Sequence, residues 1–80
     1  MKTNDLKKDD MVVLRNGWGA RIEDNKKGNI RVATVFGTYT EMGSVYAHDI
    51  VTYKKDGALT TIEHTDAQLA LRKRVEGMGF

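Results

Sequence analysis

Met11-Val12-Val13-Leu14-Arg15-Asn16-Gly17-Trp18-Gly19-Ala20-Arg21-Ile22-Glu23 is the stretch on which the fold turns. Two segments with strand-forming residues flank Asn16-Gly17. Both turn residues tolerate positive φ, as a type I′ hairpin requires. In the second segment Ala20 and Ile22 point to one side and Arg21 and Glu23 to the other, the period-two alternation of a strand with one face on a core.

Two further turns extend this pattern along the chain. Lys26-Lys27-Gly28-Asn29 precedes a β-branched segment, Asn29 to Phe36, in which Ile30, Val32, Thr34 and Phe36 oppose Arg31, Ala33 and Val35. Lys54-Lys55-Asp56-Gly57 joins Ile50-Val51-Thr52-Tyr53 to Ala58-Leu59-Thr60-Thr61-Ile62. Between them, Thr38 to Gly43 has mixed periodicity beside glycines and reads as a loop or bulge where the sheet bends. The expectation is a mainly β fold: a small barrel of five or six antiparallel strands over residues 6–63.

After Glu63 the period lengthens to that of a helix. Thr65 caps the start, Gln68 closes a capping box, and Gly77 ends the segment, giving a C-terminal α-helix over residues 65–77. Ala67, Ala70 or Leu71, and Val75 make its apolar stripe, which is expected to cover a barrel end or a neighbouring subunit. Self-association would then run through Leu69, Leu71 and Val75 of the helix, or through an unpaired strand edge. The basic run Arg72-Lys73-Arg74 sits at the end of the helix where the dipole favours cations.

Composition narrows the class. Eighty residues make one domain with a modest core, and there is no Cys to staple it. The N-terminal residues lack the apolar run of a signal peptide, so the expected compartment is the cytoplasm. No apolar stretch reaches the roughly 18 residues needed to span a bilayer, so no membrane role is expected. Thirteen basic against eleven acidic residues leave a net charge of +2, a weak long-range field for nucleic acid.

Leu6-Lys7-Lys8-Asp9-Asp10-Met11-Val12-Val13-Leu14 resembles the opening strand of Src-homology-3-like barrels such as KOW and Tudor domains. Ala20 to Asp24, Ile30-Arg31-Val32 and Phe36 to Glu41 resemble their second to fourth strands, and His48-Asp49-Ile50-Val51 resembles the helical turn before their last strand. The resemblance covers residues 6 to 53 and implies a fold more than a function. The whole chain also resembles small uncharacterised proteins of tailed bacteriophages, through Leu14 to Trp18, Asp24 to Asn29 and Gly43 to Ile50, which implies a viral or prophage origin and, for such a protein, the host cytoplasm.

No catalytic set emerges. His48-Asp49 has no companion nucleophile and reads as turn structure. His48, Asp49, His64 and Asp66 do not have the spacing of a compact metal site, and Gly17-Trp18-Gly19 lacks the further glycine and following helix of a phosphate cradle. No enzyme, metal or cofactor is expected. Phe36 and one or two tyrosines should enter the core, leaving Trp18 and Tyr39 exposed for a partner, to stack a base or, as the Tudor resemblance implies, to cage a cation. Arg15, Arg21, Arg31, Lys26 and Lys27 either solvate the surface or, if they share a face, contact phosphates. The leading expectation is a non-enzymatic phage-type module that binds a host or phage protein, such as a host enzyme or defence system that it blocks. The alternatives are a nucleic-acid-binding barrel and a homo-oligomer in a phage assembly.

Overall fold

The computed structural model describes residues 1–25 and 29–77. Six strands, β1 (Met11–Leu14), β2 (Gly19–Asp24), β3 (Ile30–Phe36), β4 (Thr40–Tyr46), β5 (Ile50–Lys55) and β6 (Ala58–Thr61), form one antiparallel sheet in the order β4-β3-β2-β1-β5-β6. A helix, α1 (Asp66–Gly77), follows. The first four strands are a meander; β5 then crosses to the far side of β1 after a single 3₁₀ turn, Ala47–Asp49. No helix among the described residues is long and apolar enough to cross a membrane.

The sheet is open, which corrects the closed barrel expected from sequence. β4 and β6 each pair on one side only. The reason lies in β4: its core-side positions are Glu41, Gly43 and Val45, and only Val45 packs against the core. A strand offering one apolar side chain to the interior gains little by closing the cylinder.

β4 itself corrects the expected loop at Thr38 to Gly43. The bend is confined to Gly37, Thr38 and Tyr39, and every residue from Thr40 to Tyr46 pairs with β3 without a register shift. All of β4 except Val45 is exposed, so no hydrophobic alternation marked it.

The hairpins form where the turn residues put them, but the turn type at Asn16-Gly17 differs from expectation. At Asn16-Gly17 only Gly17 has positive φ (93°). The Gly17 N–H donates to the Leu14 carbonyl at 2.9 Å and the Leu14 N–H to the Trp18 carbonyl at 2.8 Å, so the loop is three residues long, a turn closed by a left-handed glycine. The Asn16 side-chain oxygen accepts the Trp18 N–H at 2.9 Å and holds this shape. Both-positive geometry occurs instead at Asp56 (52°) and Gly57 (80°), between the paired Lys55 and Ala58. The Lys26-Lys27-Gly28 turn lies outside the described residues.

The core is Leu6, Val12, Leu14, Ala20, Ile22, Ala33, Ile50 and Ile62, flanked by Met1, Val35, Val45 and Tyr53. On β3 the interior face is thus Arg31, Ala33 and Val35, while Phe36, expected inside, is 39% exposed on the outer face with Ile30. Pairing explains the choice: Ala20 and Ile22 are buried and lie opposite Val35 and Ala33, which fixes β3's parity.

α1 starts with the expected capping box. The Thr65 N–H donates to Gln68 Oε1 at 2.9 Å and the Gln68 N–H to Thr65 Oγ1 at 3.1 Å. Its half-buried side chains are Gln68, Leu71, Arg72 and Val75, and the helix packs on the Ala47–Asp49 turn. Of the expected stripe, Leu71 rather than Ala70 is half-buried together with Val75, while Ala67 is exposed, as is Leu69.

Candidate functional site

An open seam in the sheet leaves one end of the core accessible. Here a cleft of about 330 Å³ is lined by Leu14, Arg15, Asn16 and Trp18 from the β1–β2 turn, Val35 from β3, Ser44, Val45 and Tyr46 from β4, and Asp49. Leu14, Val35 and Val45 belong to the core or pack against it, so the floor is apolar. Trp18 (46% exposed) and Tyr46 (39%) supply aromatic walls.

Both aromatics are held in place. The Trp18 ring lies over Gly37: a methyl group built there would come within 2.5 Å of two ring carbons, so the β3–β4 bend is open to the indole only because it carries glycine. The Tyr46 ring stacks on His48, with centroids 4.8 Å apart and planes at 11°. His48 is 1% exposed, its Nε2 lies 3.5 Å from Asp49 Oδ1, and its Nδ1 has no hydrogen-bond partner among the described residues. Burial pushes the imidazole below its ordinary pKa of 6.5, against the opposing pull of Asp49.

The ionic rim is internally paired. Arg15 Nε donates to Asp49 Oδ1 at 2.9 Å and Nη1 donates to Glu76 of α1, so one guanidinium joins the β1–β2 turn, the 3₁₀ turn and the helix. The bond to Glu76, with Asp49, holds Arg15 above its ordinary pKa. Asp49 therefore serves the turn through a neighbouring arginine rather than through the turn's own backbone.

The remaining residues picked from sequence divide. Trp18 and Tyr39 (76%) are exposed as expected, and the Trp18–Gly37 contact brings the β1–β2 turn against the bend carrying Tyr39. Arg21 is on the outer face, donating to Glu23 Oε2 at 3.0 Å; Thr34 Oγ1 donates to the same oxygen at 2.5 Å, and these two bonds hold the Glu23 carboxyl below its ordinary pKa. Arg31 is the clear correction. It is 2% exposed, on the interior face, donating to Asn25 and to Asn4 Oδ1 at 2.7 Å, so it cannot share a surface with Arg15 and Arg21. Alternation places Arg21 outward and Arg31 inward, on the face it shares with its β4 neighbour Val45, where Asn25 and Asn4 meet its guanidinium. Lys26 and Lys27 lie outside the described residues.

Sequence reasoning missed Val45 and Ser44 as lining residues and counted Tyr46 with the aromatics of which one or two tyrosines should enter the core, because the strand that carries them went unrecognised. Among the described residues no three His, Asp or Glu side chains group as metal ligands. Comparison with protein-family models, curated proteins and solved structures returns no match.

Proposed function

We propose that this chain is a non-enzymatic binding module that takes a segment of a host or phage protein into the Trp18–Tyr46 cleft. The observation that carries the reading is the cleft itself: an apolar floor continuous with the core, two restrained aromatic walls, and a charged rim whose arginine is already paired in the Arg15–Asp49–Glu76 link. Such a surface rewards an apolar or aromatic side chain with few charges. The meander, the return of β5 to β1 and the 3₁₀ turn between them support reading the sheet as an open variant of a Src-homology-3-like barrel. The resemblance to small tailed-phage proteins supports a partner met inside an infected cell, with occlusion of a host enzyme or defence protein as the outcome.

The arginines favour protein over nucleic acid as the partner. Arg15, Arg21 and Arg31 each donate to groups of this chain, which lowers their value as phosphate contacts. The test is a pulldown from host lysate with tagged full-length chain, with and without nuclease, repeated with Trp18→Ala and Val45→Arg. The expected result is a protein that survives nuclease and is lost with either substitution. Capture that disappears with nuclease and falls steeply with salt would replace this reading with the nucleic-acid one.

A further inference from the structure

β4 ends the sheet, and among the described residues its outer edge is unpaired. The Ala47 N–H donates to the Asn29 carbonyl at 2.8 Å, just beyond the β3–β4 ladder, and this fixes the parity of the strand. Backbone groups of Glu41, Gly43 and Val45 point to β3, so those of Thr40, Met42, Ser44 and Tyr46 point away from it. Among the described residues no backbone group of another element bonds to this side.

Proteins ordinarily protect such an edge with lysine, proline, a bulge or brevity. β4 has none of these: it is seven residues long, its register is unbroken, and its one guard is a single charge, Glu41, on the core-side face near one end of the strand. The opposite edge, β6, is only four residues long.

We infer that two chains associate through antiparallel β4–β4 pairing with the two-fold axis at Gly43, continuing the sheet from one protomer into the next. In this register Thr40 faces the partner's Tyr46 and Met42 faces the partner's Ser44, and the outward N–H and C=O groups of each pair bond to one another. Gly43 meets the partner's Gly43 at the close, non-hydrogen-bonded site, where Cα atoms approach to about 4.5 Å.

The side chains and charges agree with that register. Met42, 70% exposed, lies on the outer face between Tyr46 and Thr40, and pairing sets it diagonally against the partner's Met42 and the partner's Tyr46, a sulfur–aromatic cluster. Glu41 falls opposite the partner's Val45. The two Glu41 side chains are four residues apart along the strands, about 13 Å, beyond the screening length of about 8 Å at physiological salt. An edge with one isolated charge selects against a highly charged strand and accepts another β4. The pairing also brings the partner's β3–β4 bend, with the partner's Tyr39, to the Tyr46 side of the cleft. The interface rests on the β4 edge and shares Ser44 and Tyr46 with the cleft, but its register is tested without any cleft ligand.

Sedimentation equilibrium of the full chain tests this, with two variants. Ser44→Pro removes a donor that β3 does not use, a position where an edge strand accepts proline, and is expected to raise the dimer dissociation constant about tenfold or more. Met42→Lys places an edge lysine there and is expected to give the same result if the proline variant fails to fold. Register is read by oxidation: with no native Cys, Gly43→Cys is expected to form a disulfide-linked dimer readily, since a Cβ there meets nothing within 4 Å. Glu41→Cys, whose counterpart is the partner's Val45, is expected to stay largely reduced. A chain that remains monomeric at millimolar concentration overturns the inference, as does a dimer indifferent to both substitutions or one that crosslinks equally at 41 and 43.

Discussion

Arg15 and Asp49 are bonded twice, through backbone and side chain. The Arg15 N–H donates to the Asp49 carbonyl at 2.7 Å, and Arg15 Nε donates to the Asp49 carboxylate at 2.9 Å. Because the same guanidinium reaches Glu76, the end of β1, the 3₁₀ turn and α1 move together. Arg15→Ala is expected to cost only about 1 kcal/mol of global stability, because the side chain is 43% exposed and solvent screens the pair. Its larger effect should be local: faster amide exchange in α1 and at Ala47–Asp49, with the strands unchanged, as read by native-state hydrogen exchange.

Arg31 is the opposite case. Its guanidinium ties β3 to Asn25 and to Asn4, while Asn25 Nδ2 donates to the carbonyls of Thr3 (3.0 Å) and Leu6 (2.6 Å). Arg31→Ala removes these bonds together with the buried stem of the side chain and is expected to destabilise the chain by about 2–3 kcal/mol in urea denaturation. Arg31→Lys should recover little, because an ammonium cannot reproduce the planar fork that reaches both asparagines.

These two arginines also show what the sequence reveals and what it hides. Local chemistry was legible: Gly17 and Asp56-Gly57 turn the chain, Thr65 and Gln68 cap the helix, and Ala20 and Ile22 mark the core face. Both arginines looked alike as surface cations, because nothing in a sequence states which face of β3 turns inward. That depends on the register with β2, a non-local fact. The same gap hid one wall of the cleft: β4 is an exposed edge strand without hydrophobic alternation, so Ser44, Val45 and Tyr46 became visible as lining only once it was paired.

Helix capping gives a further check. With no fully buried residue, α1 depends on its ends and on its contact with the 3₁₀ turn. Thr65→Ala removes the acceptor for the Gln68 N–H and is expected to cost about 1 kcal/mol, seen as lower helical circular dichroism and raised exchange in the first turn; Thr65→Asp should restore both.

Stability should fall in two steps on acidification. His48 is held neutral by burial, so its folded pKa lies below the ordinary 6.5 of the unfolded chain. The unfolded state therefore binds the extra proton first. The stability this burial carries is complete above pH 6.5 and is lost as pH falls below it toward the folded value. Glu23, held down by Thr34 and Arg21, adds stability that is present above its ordinary 4.5 and is lost as pH falls through its lower folded value. In urea titrations at stepped pH, His48→Gln should abolish the slope just below pH 6.5 and leave the one below 4.5. An unchanged upper slope would assign it to another group.

Gly37 offers the most direct test of the cleft, because it alters Trp18 without touching it. A methyl group at Gly37 would fall 2.5 Å from the indole, while Gly37 has no positive φ that would strain an alanine. The ring is held there by that contact and is 46% exposed, with solvent on its other side to move into, so Gly37→Ala should shift Trp18 off the bend and leave the sheet folded. Trp18 is the only tryptophan, so its emission reports the event alone: a red shift, with unchanged far-ultraviolet circular dichroism. If the restrained indole is the wall that a partner meets, capture of that partner should fall with Gly37→Ala nearly as far as with Trp18→Ala. A red shift with capture intact would show that the floor of Leu14, Val35 and Val45 carries recognition, and would move the binding surface toward Tyr46.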